Sequence, residues 1–309
     1  MDSTKLPIIE FNHKKLNPGS NSWKTTSDSV RRALESYGCL VIEYEEMSSE
    51  LDEAMFGLSE ELFGFPIQTK MKHTSQLAGF GHGGNFSAMP LIEYFGIEYD
   101  ATDLEPKKKF AGLFWPDGNH CFCEILQSYC NLLSEMERTV TKMVASSYGL
   151  EKYYEPLITS SFYMSRLMRY HSPGENNSSI GLIPHRDKNF VSIIGTNDVR
   201  GLEIQTRDGD WITFHPSPRK FILIVGEAFM AWSNGRLYCP LHKVVATRER
   251  EKYSIGLFSF VNGVVKVPEE LVDDDNPLKF KPFNHLDFLD YCKEGGEKMT
   301  EAIQTYCGI

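Results

Sequence analysis

Two imidazoles and one carboxylate, His185, Asp187 and His242, are the side chains of this sequence best suited to holding a redox metal. Two histidines with a carboxylate form the ligand set of non-haem iron(II) centres. There the protein occupies one face of an octahedron and leaves the other open for a cosubstrate and dioxygen. His185 and Asp187 are two positions apart, so in an extended segment both point to the same side while Arg186 points away. His242 has to return on another strand. In a chain with 9 histidines and 42 acidic residues, a lone H-x-D more often marks a surface strand or turn than a metal site. The surrounding elements therefore decide.

Those elements are strands. Between residues 162 and 260, apolar β-rich runs recur at 191–194, 221–225 and 255–260, punctuated by Gly201, Pro216, Pro218, Asn234 and Gly235. The pair Asp208-Gly209 between the runs 202–205 and 211–214 predicts a tight hairpin. Short strands with regular turns predict a β-sandwich or barrel. The first half is mixed. Residues 7–11 and 39–42 read as strands. Val30, Leu34 and Tyr37 set a helix over 27–37 that stops at Gly38, and Leu51, Met55, Leu58 and Leu62 stripe a second helix from Ser49 to before Pro66. The longest helix is expected at 124–148, with Tyr129, Met136 and Val140 on its buried face and Gly149 closing it, and another at 285–292. The expected organisation is a mixed region (1–158) packed on a barrel core (159–265), followed by a helical tail (266–309), all one structural unit.

Residues 75–115 interleave Gly79, Gly81, Gly83, Gly84 and Gly96 with Phe80, Phe86, Tyr94, Phe95 and Phe114. The spacing is not that of a phosphate-binding loop. The segment reads as a long irregular loop, either lining an apolar pocket or packed on the surface. The run Lys107, Lys108, Lys109 reads as a solvated loop.

Hydrophobic residues at 41% and aromatics at 12% suffice for a packed core, and a net charge of −10 argues against a nucleic-acid groove. No stretch is long and apolar enough to span a membrane, and residues 1–6 carry no apolar secretory segment. The seven cysteines are odd in number and scattered, and Cys121 and Cys123 lack a second pair to complete a zinc site. Free thiols in a reducing compartment are expected, hence a cytoplasmic chain, working as a monomer.

Several segments together resemble the plant soluble 2-oxoglutarate- and Fe(II)-dependent dioxygenases over nearly the whole length: LPIIE (6–10), YGCLVI (37–42), GLIPHRD (181–187), GLEI (201–204), SNGR (233–236) and LHKV (241–244). DKNF (187–190) and YSIGLF (253–258) resemble most the subgroup acting on glucosinolate side chains and steroidal alkaloids. The resemblance implies a mainly β chain with flanking helices, a distorted double-stranded β-helix (jelly roll). It implies Fe(II) on His185, Asp187 and His242, with 2-oxoglutarate chelating the iron. The far carboxylate of the cosubstrate usually meets an arginine and a serine two residues apart; the matching positions are Lys252 and Ser254. Lysine keeps the charge but loses the planar fork, at a cost of roughly 1–3 kcal/mol. Arg250 shares the strand parity and offers an alternative. Tyr170 matches a tyrosine near the chelating end, whereas Met168 replaces the family asparagine and Arg186 a threonine, expected to point outward.

The implied reaction oxidises a C–H bond of a small, largely apolar specialised metabolite, consuming dioxygen and, in some relatives, ascorbate. Hydroxylation is the default, with demethylation or desaturation alongside. Asp187 fills the position that a halogenase of the superfamily leaves to halide. Candidate substrate contacts are Phe190, Phe260, Phe86 and Phe95, each equally at home in an ordinary core. Two further readings stay open: an iron oxidase that does not use 2-oxoglutarate, and a non-catalytic ligand binder.

Overall fold

The computed structural model describes residues 5–12, 16–77, 79–86, 89–174, 179–295 and 301–309; residues 1–4 of the segment read for a leader lie outside them. The first half supplies strands β1 (Ile8–Phe11), β2 (Cys39–Tyr44), β3 (Gly81–Phe86) and β4 (Met89–Tyr99). Then follow β5 (Ser161–Tyr170), β6 (Ile180–His185), β7 (Val191–Thr196), β8 (Leu202–Gln205), β9 (Trp211–Thr213), β10 (Lys220–Val225), β11 (His242–Val245) and β12 (Lys252–Val261). A ribbon of β13 (Val264–Val265) and β14 (Phe283–Asn284) closes the series. The major sheet has the order β1-β2-β10-β7-β12-β5-β4-β3, and the minor sheet β6-β11-β8-β9.

Period-two alternation sorts the side chains of the major sheet onto two faces. Met168, Ile194, Ile222 and Phe258 pack with Leu202, Ile204 and Val244 of the minor sheet. Leu167, Ile193, Leu223 and Leu257 turn the other way, onto the helices. With both faces covered, β12 is buried at every position. This is the double-stranded β-helix, with its helical support on one side.

The helices are α1 (Asn21–Ser36), α2 (Ser49–Gly64), α3 (Ile67–Lys70), α4 (Glu105–Ala111), α5 (His120–Ser147), α6 (Glu151–Thr159), α7 (Glu227–Trp232), α8 (His285–Gly295) and α9 (Ala302–Cys307). α5 spans the helical face and begins earlier than its apolar stripe suggested, because the Asn119 side chain accepts a hydrogen bond from Phe122 N at 2.9 Å. Ser20 does the same for Trp23 N at 3.1 Å, which moves the start of α1 well ahead of residue 27. Gly149, at φ 69°, ends α5 as expected.

Residues 75–115 are not one long loop. They hold the β3–β4 hairpin at the sheet edge and helix α4. The glycines break the usual strand signature because the backbone is closely approached here: a Cβ on Gly83 would lie 2.3 Å from the Tyr94 ring, and one on Gly96 2.1 Å from Gly79 O. The lysine run also divides. Lys107 lies on the inner face of α4, fully buried, with Nζ 4.9 Å above the Tyr99 ring and its pKa lowered by burial. Lys108 and Lys109 stay exposed. All seven cysteines are free, and among the described residues no helix is long and apolar enough to cross a membrane.

Gly195 on β7 is a close contact between sheet and α5: an added Cβ would sit 2.2 Å from Tyr129 Oη and 3.0 Å from the Phe221 ring. Tyr129 is wholly buried and cannot withdraw. Gly195→Ala is expected to lower stability by about 1–3 kcal/mol, the range for overpacking a dense core. Urea unfolding at unchanged m-value is the check.

Candidate active site

The minor sheet brings the two distant histidines together. His185 ends β6, His242 begins β11, and the two are direct register partners, with ring centroids 4.2 Å apart. Asp187 follows in the turn after β6. Its Oδ1 lies 3.4 Å from His185 Nε2 and 3.6 Å from His242 Nε2. His185 Nδ1 lies 2.9 Å from Ile183 O and His242 Nδ1 3.3 Å from Pro240 O. A carbonyl partner fixes the proton on Nδ1, so each Nε2 offers its lone pair to the common centre.

Asp187 is itself held from behind. Ser192 Oγ on β7 donates to its Oδ2 in a short hydrogen bond. Asn189 Nδ2 donates to Ser192 Oγ at 3.1 Å and to Val191 O at 2.7 Å. Glu227 N, at the start of α7, donates to Asp187 O at 2.8 Å. Burial opposes ionisation of Asp187, yet His242, His185 and Ser192 together hold its carboxyl well below the usual carboxylate range. Burial, and then the neighbouring His185, bring His242 down to about 4. A charged carboxylate and a neutral imidazole are the protonation states a metal needs. The three ligand atoms lie within 4.8 Å of one another, and this donor set fits iron(II).

A cavity of about 380 Å³ opens beside the triad, with His185 and Asp187 in its wall. Met89, Ile92, Met164, Met168, Leu182 and Phe258 give it an apolar lining. Phe86 and Phe260 also face it. Phe190 and Phe95 do not. Phe190 leaves the ligand turn toward α7 and stacks on Phe229 at 4.2 Å, so this candidate contact is core. Phe95 has the opposite parity to Tyr94 and packs on the helical side against Phe63, Phe110 and Phe114.

Lys252 and Ser254 open β12 and pair with Tyr170 and Met168 of β5. Lys252 is only 2% exposed; its Nζ donates to Val199 O at 2.9 Å and meets no carboxylate among the described residues. Burial brings its pKa down to about 7. Arg250 is no substitute, because it forms an exposed ion pair with Asp198. Arg186 does not simply point outward: its Nε donates to Cys239 O at 2.8 Å and ties the ligand turn to the approach of His242. The sequence reading missed Asn189 and Ser192. For Ser192 the signal was a polar side chain inside an otherwise apolar strand, where burial demands a partner; Asn189, in the turn before β7, carried no such signal.

With this geometry in place, the profile of the 2OG-Fe(II) oxygenase superfamily matches residues 162–261, and that of the N-terminal region of non-haem dioxygenases in morphine synthesis matches residues 6–117. The chain belongs to the 2-oxoglutarate- and Fe(II)-dependent oxygenase superfamily. It is 38% identical to the probable 2-oxoglutarate-dependent dioxygenase AOP1 of Arabidopsis thaliana, over 94% of this chain and 97% of that protein. It is 26% identical to the 2-oxoglutarate-dependent dioxygenase AOP3 of the same plant, over 99% and 98%. The rice dioxygenase for auxin oxidation shares the fold with a TM-score of 0.82 at 24% identity, over 99% of this chain and 100% of that one. JOX2, solved with 2OG, Fe and JA, does so with 0.81 at 19%, over 98% and 89%. The protein is thus an iron(II)- and 2-oxoglutarate-dependent dioxygenase.

The Ser192 hydroxyl orients the carboxylate ligand, so Ser192→Ala is expected to weaken iron(II) affinity about 10–100-fold, as loss of such a partner does elsewhere. Competition with a chromophoric chelator under anaerobic conditions measures this. Unchanged affinity would remove Ser192 from the metal site.

Proposed function

We propose that this dioxygenase oxidises a C–H bond of a small metabolite with a largely apolar body. Hydroxylation is the default outcome, and demethylation or desaturation are the alternatives. We propose too that Lys252, Ser254 and Tyr170 hold the cosubstrate. One observation carries the reading: a single strand, β12, runs from a buried lysine with no counter-ion among the described residues at one end to Phe258 and Phe260 in the cavity wall at the other. Bound iron(II) and 2-oxoglutarate supply the oxidising power, with dioxygen consumed and succinate and carbon dioxide released. The protein does the rest. Lys252 offers a cation to the far carboxylate, with Ser254 as a hydroxyl donor on the same face and Tyr170 opposite. Asn189 and Ser192 keep Asp187 aimed at the metal. Phe86 and Phe260 meet the substrate, and the apolar wall excludes water from it.

The free, mostly buried thiols support a reducing, cytoplasmic setting. We assign the chain as a monomer in which stretches 1–158, 159–265 and 266–309 act as one unit. Strands from both halves sharing the major sheet support this.

Titration of the anaerobic iron(II) protein with 2-oxoglutarate, read by the weak visible charge-transfer band, tests the anchor. Lys252→Ala is expected to bind about 10–100-fold more weakly, the loss of one charge-assisted hydrogen bond, while Lys252→Arg keeps the band. Since Lys252 titrates at about 7 in the free protein, it is increasingly neutral above that pH. Affinity should therefore fall as pH rises through neutrality, and Lys252→Arg should abolish that dependence. An alanine variant equal to the native protein would refute the role of Lys252.

A further inference from the structure

Arg166 lines the cavity half-buried, and no carboxylate among the described residues pairs with it. It lies on β5 with its guanidinium between two rings, 4.8 Å from the Tyr94 centroid and 5.0 Å from that of Phe258. Its Nη2 donates to Gly79 O at 3.1 Å. Its Nε is buried without an acceptor, and Nη1 makes no hydrogen bond among the described residues. A half-buried guanidinium whose Nε has lost water without gaining an acceptor is costly to hold. The only carboxylate lining the cavity among the described residues is Asp187, which the metal claims. Lys188 already has Glu227 at 2.7 Å.

The surroundings look built for this guanidinium. Its neighbours across the sheet are glycines on both sides, Gly96 on β4 and Gly256 on β12. A Cβ on Gly256 would lie 2.7 Å from the Phe258 ring, and one on Gly83 2.3 Å from the Tyr94 ring, so these glycines let both rings close over Arg166. A Cβ on Gly79 would lie 2.1 Å from Arg166 Nη2. The glycine-aromatic segment noted in the sequence is thus the cradle of one cation. The cation does not serve the cosubstrate end. Arg166 is four residues along β5 from Tyr170, or about 13 Å at strand rise. A five-carbon diacid anchored at Lys252 spans roughly half of that.

We propose that Arg166 receives an oxyanion group, a carboxylate or a sulfate, of the organic substrate. The enzyme then takes small amphiphilic anions, with the apolar body on the methionine and phenylalanine wall and the charged end held at the guanidinium. The rings fix the plane of the guanidinium and the Gly79 carbonyl fixes its rotation, leaving Nη1 and the second Nη2 hydrogen, the end-on fork, as donors for the oxyanion. The anchored end decides which carbon faces the metal.

This inference rests on the dioxygenase site above, and the test separates the two. Anaerobic protein carrying iron(II) and 2-oxoglutarate is titrated by calorimetry with phenylacetate, 3-phenylpropanoate and 4-phenylbutyrate, with the matching arylalkyl sulfates, and with the neutral primary amides. The charge-transfer band is followed in the same samples. At least one anion should bind about 10–100-fold more tightly than its amide, the worth of a charge-assisted bond. The carboxylate and sulfate arms identify the head group. Arg166→Gln should erase the preference while the band persists. Arg166→Lys, which keeps the charge without the fork, should retain part of it. Loss of the band with the anion preference intact would instead strike the cosubstrate reading. Equal binding of anions and amides, no anion bound at millimolar concentration, or a preference surviving in Arg166→Gln overturns the assignment.

Discussion

The unbroken antiparallel pairing of β5 with β12 is the constraint on which the site depends. It runs from Lys252 opposite Tyr170 to Val261 opposite Ser161. Even-numbered positions of both strands face the minor sheet and odd-numbered ones face the helices, so the ladder sets the rungs in a fixed order. A cation and a tyrosine come first, then Ser254 with Met168, Gly256 with Arg166, Phe258 with Met164, and Phe260 with Phe162. A slip of one residue would turn this whole row into the helical core and bring Ile255 and Leu257 to the metal side. Burial of β12 on both faces prevents that slip, since neither face tolerates the side chains of the other. Chemistry and fold specification thus rest on the same hydrogen-bonded pair.

The β3–β4 hairpin is kept in place by a different device. Glu93, almost fully buried, accepts from Lys70 at 3.0 Å, His82 at 3.0 Å and Arg169 at 2.9 Å. Burial opposes its charge, but these donors, His82 first, bring its pKa to about 2. A glycine-rich edge has weak register of its own. One carboxylate shared among a helix, the edge strand and the neighbouring strand supplies it, with the specificity that buried polar contacts give when every partner is present. The loop and rings around Arg166 inherit their positions from this arrangement.

How much of this was legible in the sequence follows from what each feature depends on. The metal ligands were readable because iron chemistry restricts the residue types and because an i, i+2 pair on a strand already points one way. Lys252 stood out as a departure from a familiar pattern, but its burial did not, since lysine is ordinarily a surface residue. The hairpin was not, because its glycines make room for Tyr94 and Gly79 of the same segment, and the residue types alone do not say which of them face each other. The lysine run misled because a helical turn separates three like residues into one buried and two exposed. Phe190 and Phe95 misled for a related reason: an aromatic beside a ligand or in a pocket-forming segment says nothing about which face it takes. That is decided by parity for Phe95, and for Phe190 by the stack with Phe229.

The triad also has a mechanical side. His185 and His242 belong to the minor sheet, while Asp187 is fastened to the major sheet through Ser192 and to α7 through its carbonyl. An ion joining the three is therefore a rivet across the seam between the layers, at the mouth end of the sandwich. Whatever binds only the closed, native arrangement draws the folding equilibrium toward it by mass action. Iron held by these three residues would therefore also clasp the two sheets, beside the cavity wall that His185 and Asp187 form.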